Sequence, residues 1–182
     1  MVILLVLDIV TKNIAYNCLK PGDSVVAIPY LFNFTLVFND GAAWGMLAGQ
    51  EWFLCLISAV LGTGILVYLL YRFRKLSLPW IIGLSMMVAG AYGNLIDRIG
   101  QAGDLGIYAN GVIDFLQFAF WTSFPVFNLA DSYLVIGIVI LLVTLIVEII
   151  RDHMKKEKEP TISETSQEDL IKKLTQQDDK DE

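Results

Sequence analysis

Apolar residues fall into four runs along this chain, separated by segments of different character. A membrane-spanning helix takes about 20 mostly apolar residues. Phe53–Tyr71 and Tyr133–Ile150 fit that length, and Trp80–Ile96 is a third such run, with Pro79 where a helix start tolerates it. The N-terminal run, residues 1–18, is interrupted by Asp8 and Lys12 and is predicted as a fourth span. A cleaved signal peptide is disfavoured there, because no basic stretch precedes the run and no clear small-x-small site follows it. The pattern predicts an all-α polytopic membrane protein with four transmembrane helices, at about 1–18, 53–71, 80–96 and 133–150.

The two long intervening segments carry most of the polar chemistry. Segment 19–52 opens on the turn signal Pro21-Gly22-Asp23-Ser24, and Val25–Tyr30 and Asn33–Phe38 are rich in β-branched and aromatic residues. Two or three short strands on the outer membrane surface are expected. The small residues after Asn39, through Gly45, suit either a close backbone approach or simple tight packing. Segment 97–131 is dense in aromatics (Phe115, Phe118, Phe120, Trp121, Phe124 and Phe127), which reads as an interfacial belt.

Composition agrees with a membrane body. At 55% hydrophobic and a mean hydropathy of +0.60, the chain is too apolar for an ordinary soluble domain. The net charge of −6 divides evenly between residues 1–150 and the last 32, so it describes a solvated tail as much as the membrane body and implies no nucleic-acid partner. Residues 1–154 are expected to be the membrane-embedded domain. Residues 155–182 read as a charged cytoplasmic tail, disordered or weakly helical. Arg72, Arg74 and Lys75 lie between the second and third runs, and Arg151, Lys155, Lys156 and Lys158 follow the fourth. By the positive-inside rule both clusters, and hence both termini, are cytoplasmic, and segments 19–52 and 97–131 face outward.

Candidate chemistry narrows by elimination. Cys18 and Cys55 form no CxxC and no disulfide framework. His153, the single histidine, follows the last run on the cytoplasmic side, which excludes HExxH zinc hydrolysis and His-dependent serine or cysteine catalysis. A Ser/Lys dyad with Lys12 as base stays open, although no motif ties a serine to it. Carboxylates are the best remaining tool. An ionisable residue at membrane depth costs roughly 2.5–3.5 kcal/mol and needs a partner or a function. Asp8 and Lys12, four apart on one helix face, suit a structural pair. Asp97 and Arg98 close the third run, where an interfacial ion pair and a site role are evenly matched. Asn94, one turn earlier, must find a partner in a dry setting. Asp131 sits where a helix cap or first turn is expected, a sufficient structural reason for a carboxylate. Asp114 has no such reason. It lies among Val112, Ile113, Phe115 and Leu116, so desolvation should raise its pKa. The two acids are seventeen positions apart, enough for the loop to fold back and make an acid–base pair of them. A small transporter or channel subunit, using buried acids for ions, is the main rival. A presenilin-type protease is disfavoured because Gly103-Asp104 follows Gln101-Ala102 and so lacks the Gly-x-Gly-Asp motif.

Four blocks, taken together, resemble the prolipoprotein (type II) signal peptidase family. They are Asp8-Ile9-Val10-Thr11-Lys12, Asn39-Asp40-Gly41-Ala42-Ala43-Trp44 and Gly90-Ala91-Tyr92-Gly93-Asn94-Leu95-Ile96-Asp97-Arg98. The last runs from Val112-Ile113-Asp114-Phe115 to Phe124-Pro125-Val126-Phe127-Asn128-Leu129-Ala130-Asp131-Ser132. The resemblance implies four membrane helices with a small extracytoplasmic β-rich cradle and a site near the outer leaflet. It implies that Asp114 and Asp131 are the catalytic pair and that Asn39, Asn94, Arg98 and Asn128 line the site and hold substrate. Asp8 and Lys12 match an architectural charged pair. The implied reaction removes the signal peptide from a diacylglyceryl-modified prolipoprotein just before its lipidated cysteine. It implies no metal or organic cofactor, membrane lipids as surroundings, a monomer, and a bacterial cell membrane location. The first run is shorter than is usual in the family, and the charged tail is longer.

Overall fold

The computed structural model describes residues 1–41 and 46–178, without the side chains of 157–171 and 173–178. The close-approach reading of 42–45 therefore lies outside the described residues, as do most side chains of the tail. Contacts divide the chain into two compact units, Met1–Leu141 and Leu142–Glu182, and every site residue belongs to the first. The helices are α1 (Val2–Cys18), α2 (Glu51–Arg72), α3 (Leu78–Ala102) and α4 (Leu129–Asp178), and the strands are β1 (Ser24–Ile28), β2 (Phe32–Asn39) and β3 (Val112–Phe118). In the second unit the helical backbone of α4 continues through the tail to Asp178.

Among the described residues, three stretches are long and apolar enough to cross a membrane: Glu51–Lys75, Leu78–Ala102 and Leu129–Lys156. Helix α1 has the expected extent but only 17 residues, about 26 Å at 1.5 Å per residue, and it buries Asp8, Lys12 and Ala15. Helices α2, α3 and α4 each reach beyond their apolar runs at both ends, because hydropathy marks only the residues that need lipid. Thus α3 continues six residues past Ile96, its added turn carrying Asp97 and Arg98.

Helix α3 is the centre of the bundle. The apolar window of α3 is 44% buried, against 22% for α2 and 11% for that of α4. Its sequence explains why, since glycines and alanines let neighbouring backbones approach closely. A Cβ on Gly83 would lie 2.6 Å from Leu141 Cδ2, and one on Gly90 would run into the Ala130 carbonyl oxygen. One on Gly93 would lie 2.6 Å from Asp8 Oδ2 and 2.9 Å from Ala130 Cβ, so α1, α3 and α4 converge there. The outward faces are the reverse: Leu56, Val60, Leu61, Val67 and Leu70 on α2 are all exposed.

The strands form one antiparallel sheet in the order β1-β2-β3. Two strands match the expectation for segment 19–52. The third, Val112–Phe118, comes from the aromatic segment read as an interfacial belt, where no strand was expected. Aromatic and β-branched residues that favour an interface also favour a pleated sheet, and Phe32 stacks on Phe118 across the strands at 5.2 Å between ring centres. Register pairs Asn39 with Val112 and Val37 with Asp114. Gly111 makes the approach to this pairing: its φ is +121°, and a Cβ there would lie 2.7 Å from the Asn39 carbonyl oxygen. After β3 the chain folds back on itself. Phe127 exchanges backbone hydrogen bonds with Leu116 at 2.7 and 2.9 Å, which delivers Asn128 to the start of α4 beside the strand it has just left.

Gly90→Ala is expected to destabilise the protein by about 1–3 kcal/mol, since the new methyl forces α3 from α4. Gly64→Ala, with nothing within 4 Å of the added carbon, should leave thermal unfolding in detergent unchanged or raise it. Equal melting of the two variants would contradict the packing described.

Candidate active site

The site grows from the first turn of α4. Asn128 is the residue before the helix and Asp131 its third position. The backbone N–H of Asp131 donates to Asn128 Oδ1 at 3.0 Å, and the N–H of Asn128 donates to Asp131 Oδ2 at 3.2 Å. This is a reciprocal capping box, with Asn and Asp in the places where Ser and Glu are common. A second free N–H of the same turn, that of Ala130, donates to Asp8 Oδ1 of α1 at 2.9 Å. The structural reason anticipated for Asp131 is therefore real, and its other oxygen is left over. That atom, Oδ1, accepts a 2.7 Å hydrogen bond from the side-chain amide of Asn94 on α3.

Asp114 comes from β3, and two side-chain amides hold it. Asn128 donates to Oδ1 at 2.6 Å and Asn39, at the end of β2, donates to Oδ2 at 3.1 Å. Asn39 is itself set by an Asx-type contact, its Oδ1 accepting from the Gly41 N–H at 3.0 Å. Asn128 thus touches both acids, one through its side chain and the other through its backbone. Asp114 is 2% exposed. Burial first, and the neighbouring Asp131 carboxylate second, push its pKa up to about 8.

Beneath the acids lies Lys12, fully buried like Asp8 and Asp97. Its ammonium is 2.8 Å from Asp8 Oδ2, 2.8 Å from Asp97 Oδ2 and 3.1 Å from Asn94 Oδ1. An ammonium has three protons and no acceptor, so all three are committed. The pairing expected between Asp8 and Lys12 is present, and it is the only partner of Asp8 Oδ2 among the described residues. Of the two readings held evenly for Asp97 and Arg98, an interfacial ion pair between them is not what Asp97 forms. It turns inward to Lys12 and accepts the Ile113 N–H at 3.3 Å. Spacing alone did not single it out, since Asp97 and Arg98 both stand about one turn after Asn94.

Asn39, Asn94, Arg98, Asp114 and Asp131 line one cavity of about 350 Å³, walled by Val112, Phe124, Phe127, Leu134 and Val135. Asn128 is fully buried behind it. Arg98 reaches the backbone oxygens of Asn94 and Gly41 at 3.5 and 3.4 Å, and its buried Nε has no partner among the described residues. Sequence reasoning missed the apolar wall of Leu134 and Val135, which one helical turn brings beside Asp131. An apolar slot with two acids and several amide donors at its base suits a chain with one polar bond to be cut.

Residues 1–147 match the model of the family described as Signal peptidase (SPase) II. The lipoprotein signal peptidase of Mycobacterium tuberculosis (strain ATCC 25618 / H37Rv) is 42% identical over 143 residues, 78% of this chain and 66% of that protein. The chain thus spans slightly less than two thirds of that relative's length. The lipoprotein signal peptidase of Staphylococcus aureus (strain JH9) is 36% identical over 159 residues, 87% of this chain and 90% of the other. A bacterial membrane enzyme solved by the in meso method at 2.3 Å superposes with a TM-score of 0.67 at 36% identity. That match covers 81% of this chain and 85% of the solved one.

Asn128→Ala removes the cap and the donor to Asp114, and should cost about 1–2 kcal/mol of stability. Asn128→Ser keeps an oxygen for the Asp131 N–H and should recover most of that loss in thermal unfolding. A serine variant as unstable as the alanine one would mean that the cap is not what Asn128 contributes.

Proposed function

The chain belongs to the signal peptidase II family, and from that premise we propose that it is an aspartic endopeptidase acting on lipid-modified prolipoproteins. It removes the signal peptide before the diacylglyceryl-modified cysteine. The observation that carries the reading is that two acids from different elements, Asp114 and Asp131, share Asn128 and open into one cavity.

Their surroundings suit opposite protonation states. Asp114 sits on a strand among apolar residues with its pKa raised to about 8, so it keeps its proton at neutral pH. Asp131, also buried, sits in the first turn of a helix, where the Asn128 N–H, the Asn94 amide and the helix dipole favour its carboxylate relative to that of Asp114. In the forward step the Asp131 carboxylate takes a proton from water as the water oxygen attacks the scissile carbonyl carbon. Asp114 donates its hydrogen to the carbonyl oxygen. In the second step the proton on Asp131 passes to the leaving nitrogen of the lipidated cysteine, the C–N bond breaks, and Asp114 regains its proton as the carboxyl product forms. No charge is left over. Asn39, Asn94 and Asn128 hold the carboxyls in place, and the spare donors of Arg98 suit a substrate carbonyl.

Placement in a membrane fits this chemistry. Asn94 lies sixteen residues along α3 from Leu78, about 24 Å from the helix end that follows the basic cluster Arg72, Arg74 and Lys75. With that cluster cytoplasmic, the site lies toward the outer face of a bacterial cell membrane, and α1 serves as a fourth span with both termini inside. A substrate anchored by its acyl chains diffuses in the plane of the membrane and presents its bond at that depth. The reading is of a monomer, since the proposed step calls on no second copy, and the two acids need no metal or organic cofactor.

Asp114→Asn and Asp131→Asn, made separately, are each expected to lower cleavage of a purified lipidated precursor at least about 100-fold. Membrane insertion should be intact, and uncleaved lipidated precursor should accumulate in cells. Normal processing by either variant would refute the pairing. The raised pKa of Asp114 also fixes the alkaline side of the pH profile. The required proton is present below about 8 and lost above it, so turnover should be level toward neutrality and fall about tenfold per pH unit beyond that value. Undiminished turnover two units higher would exclude Asp114 as the acid.

A further inference from the structure

A structural ion pair needs one base and one acid, yet Lys12 engages two acids and an amide. Each of the three contacts continues to the immediate neighbourhood of a proposed catalytic aspartate. Through Asp8, Lys12 reaches the N–H of Ala130, the residue before Asp131. Through Asp97 it reaches the N–H of Ile113, the residue before Asp114. Through Asn94 it reaches Asp131 itself.

We propose that Lys12 is a positioning residue: one buried ammonium fixes α4 against β3, and with them the separation and orientation of Asp114 and Asp131. The inference rests on the aspartate reading above. Lys12 touches neither acid and does not line the cavity, so any positioning runs through the three intermediaries, while its charge acts on both carboxylates through space. The Asn94 link is directional. Because an ammonium only donates, the carbonyl oxygen of Asn94 must face Lys12, which turns its NH2 toward Asp131. The same oxygen also accepts from Asn128 at 3.0 Å, so two donors hold the amide in one orientation. Without Lys12 only Asn128 holds that orientation, and an amide that turned over would present its oxygen to a carboxylate, an arrangement that favours a protonated Asp131. The charged groups around Asp131 are Asp114 from β3, Arg98 from α3 and Lys12 from α1, with Asp8 and Asp97 behind the lysine.

The test compares full-length Lys12→Met/Asp8→Asn/Asp97→Asn, which leaves no buried charge in the cluster, with Lys12→Met/Asp8→Asn, which leaves only Asp97. Both are purified in detergent and assayed on a purified diacylglyceryl-modified prolipoprotein. Folded protein of at least one variant should be recovered, with KM within about threefold of the parent and kcat lowered about 100-fold or more. The acidic limb of its kcat–pH profile should move up by about one unit or more. A folded variant with kcat within threefold and an unmoved acidic limb would overturn the proposal, as would a loss confined to KM. Recovery of neither variant in folded form also counts against it, since the role claimed is positional and not one of stability. Asp114→Asn measured alongside separates the two readings. Full activity there defeats the aspartate mechanism itself, whereas an inactive Asp114→Asn beside an unaffected Lys12 variant defeats only the positioning role.

Discussion

A charged lysine in a dry helical bundle imposes a strict condition: each of its protons needs an acceptor, and the charge needs an opposite one. In this chain Lys12 meets that condition with Asp8, Asp97 and Asn94, all without solvent. Replacing a buried ionic cluster of this kind by apolar side chains is often neutral or stabilising in other proteins, so stability is a weak reason for it. Its value lies in direction. Apolar contacts between helices tolerate small slides, while three short hydrogen-bonded contacts to one nitrogen do not. The cluster therefore sets where α1, α3 and the start of α4 meet, and the glycines at 90 and 93 supply the close approach that lets it form.

From that junction the acids inherit unequal environments without any dedicated catalytic loop. Asp131 belongs to a capping box, so one of its oxygens is already occupied with the helix end, and the other faces Asn94. Asp114 belongs to a strand, where no dipole helps it ionise, and its neighbours are apolar. The same amide, Asn128, supplies the cap for one acid and the shortest hydrogen bond to the other. A single residue thus couples the folding of α4 to the assembly of the site, and a helix start that frays would also release Asp114.

Much of this was legible in the chain, for reasons that can be stated residue by residue. Long apolar runs announce helices because the bilayer demands them, and Asp114 announced itself because a carboxyl among Val, Ile, Phe and Leu has no cheap structural explanation. The polar ends of the helices were less legible. Asp97 and Arg98 look alike as a charged terminus, and at 100° per residue both fall within about 60° of Asn94 on the helix surface, so only the contacts with Lys12 and Ile113 distinguish the inward Asp97. Strand β3 was hidden for a different reason. Its aromatic residues satisfy a membrane interface and a sheet equally well, and only pairing with β2, seventy-odd residues earlier, decides between them. The fold-back that sets Phe127 against Leu116 closes within eleven residues, and the spacing of the two acids left room for it without fixing which residues pair.

The position of β3 also bears on why an enzyme would place its acids at the end of a bundle and not within it. A peptide bond cannot be cut deep in lipid without water, and a water-filled bundle would give up the burial that keeps Asp114 protonated. The sheet resolves this conflict. It closes one side of the cavity with Val112 while the loop returning to α4 covers another with Phe124 and Phe127, so the acids stand behind apolar walls yet beyond the long apolar stretch of α3. Water then has to enter only as far as the helix end. Under the proposed function, a substrate tethered by acyl chains would meet it there with its lipid still in the bilayer, and the cost of bringing a polar backbone to the acids would be limited to the few residues around the bond.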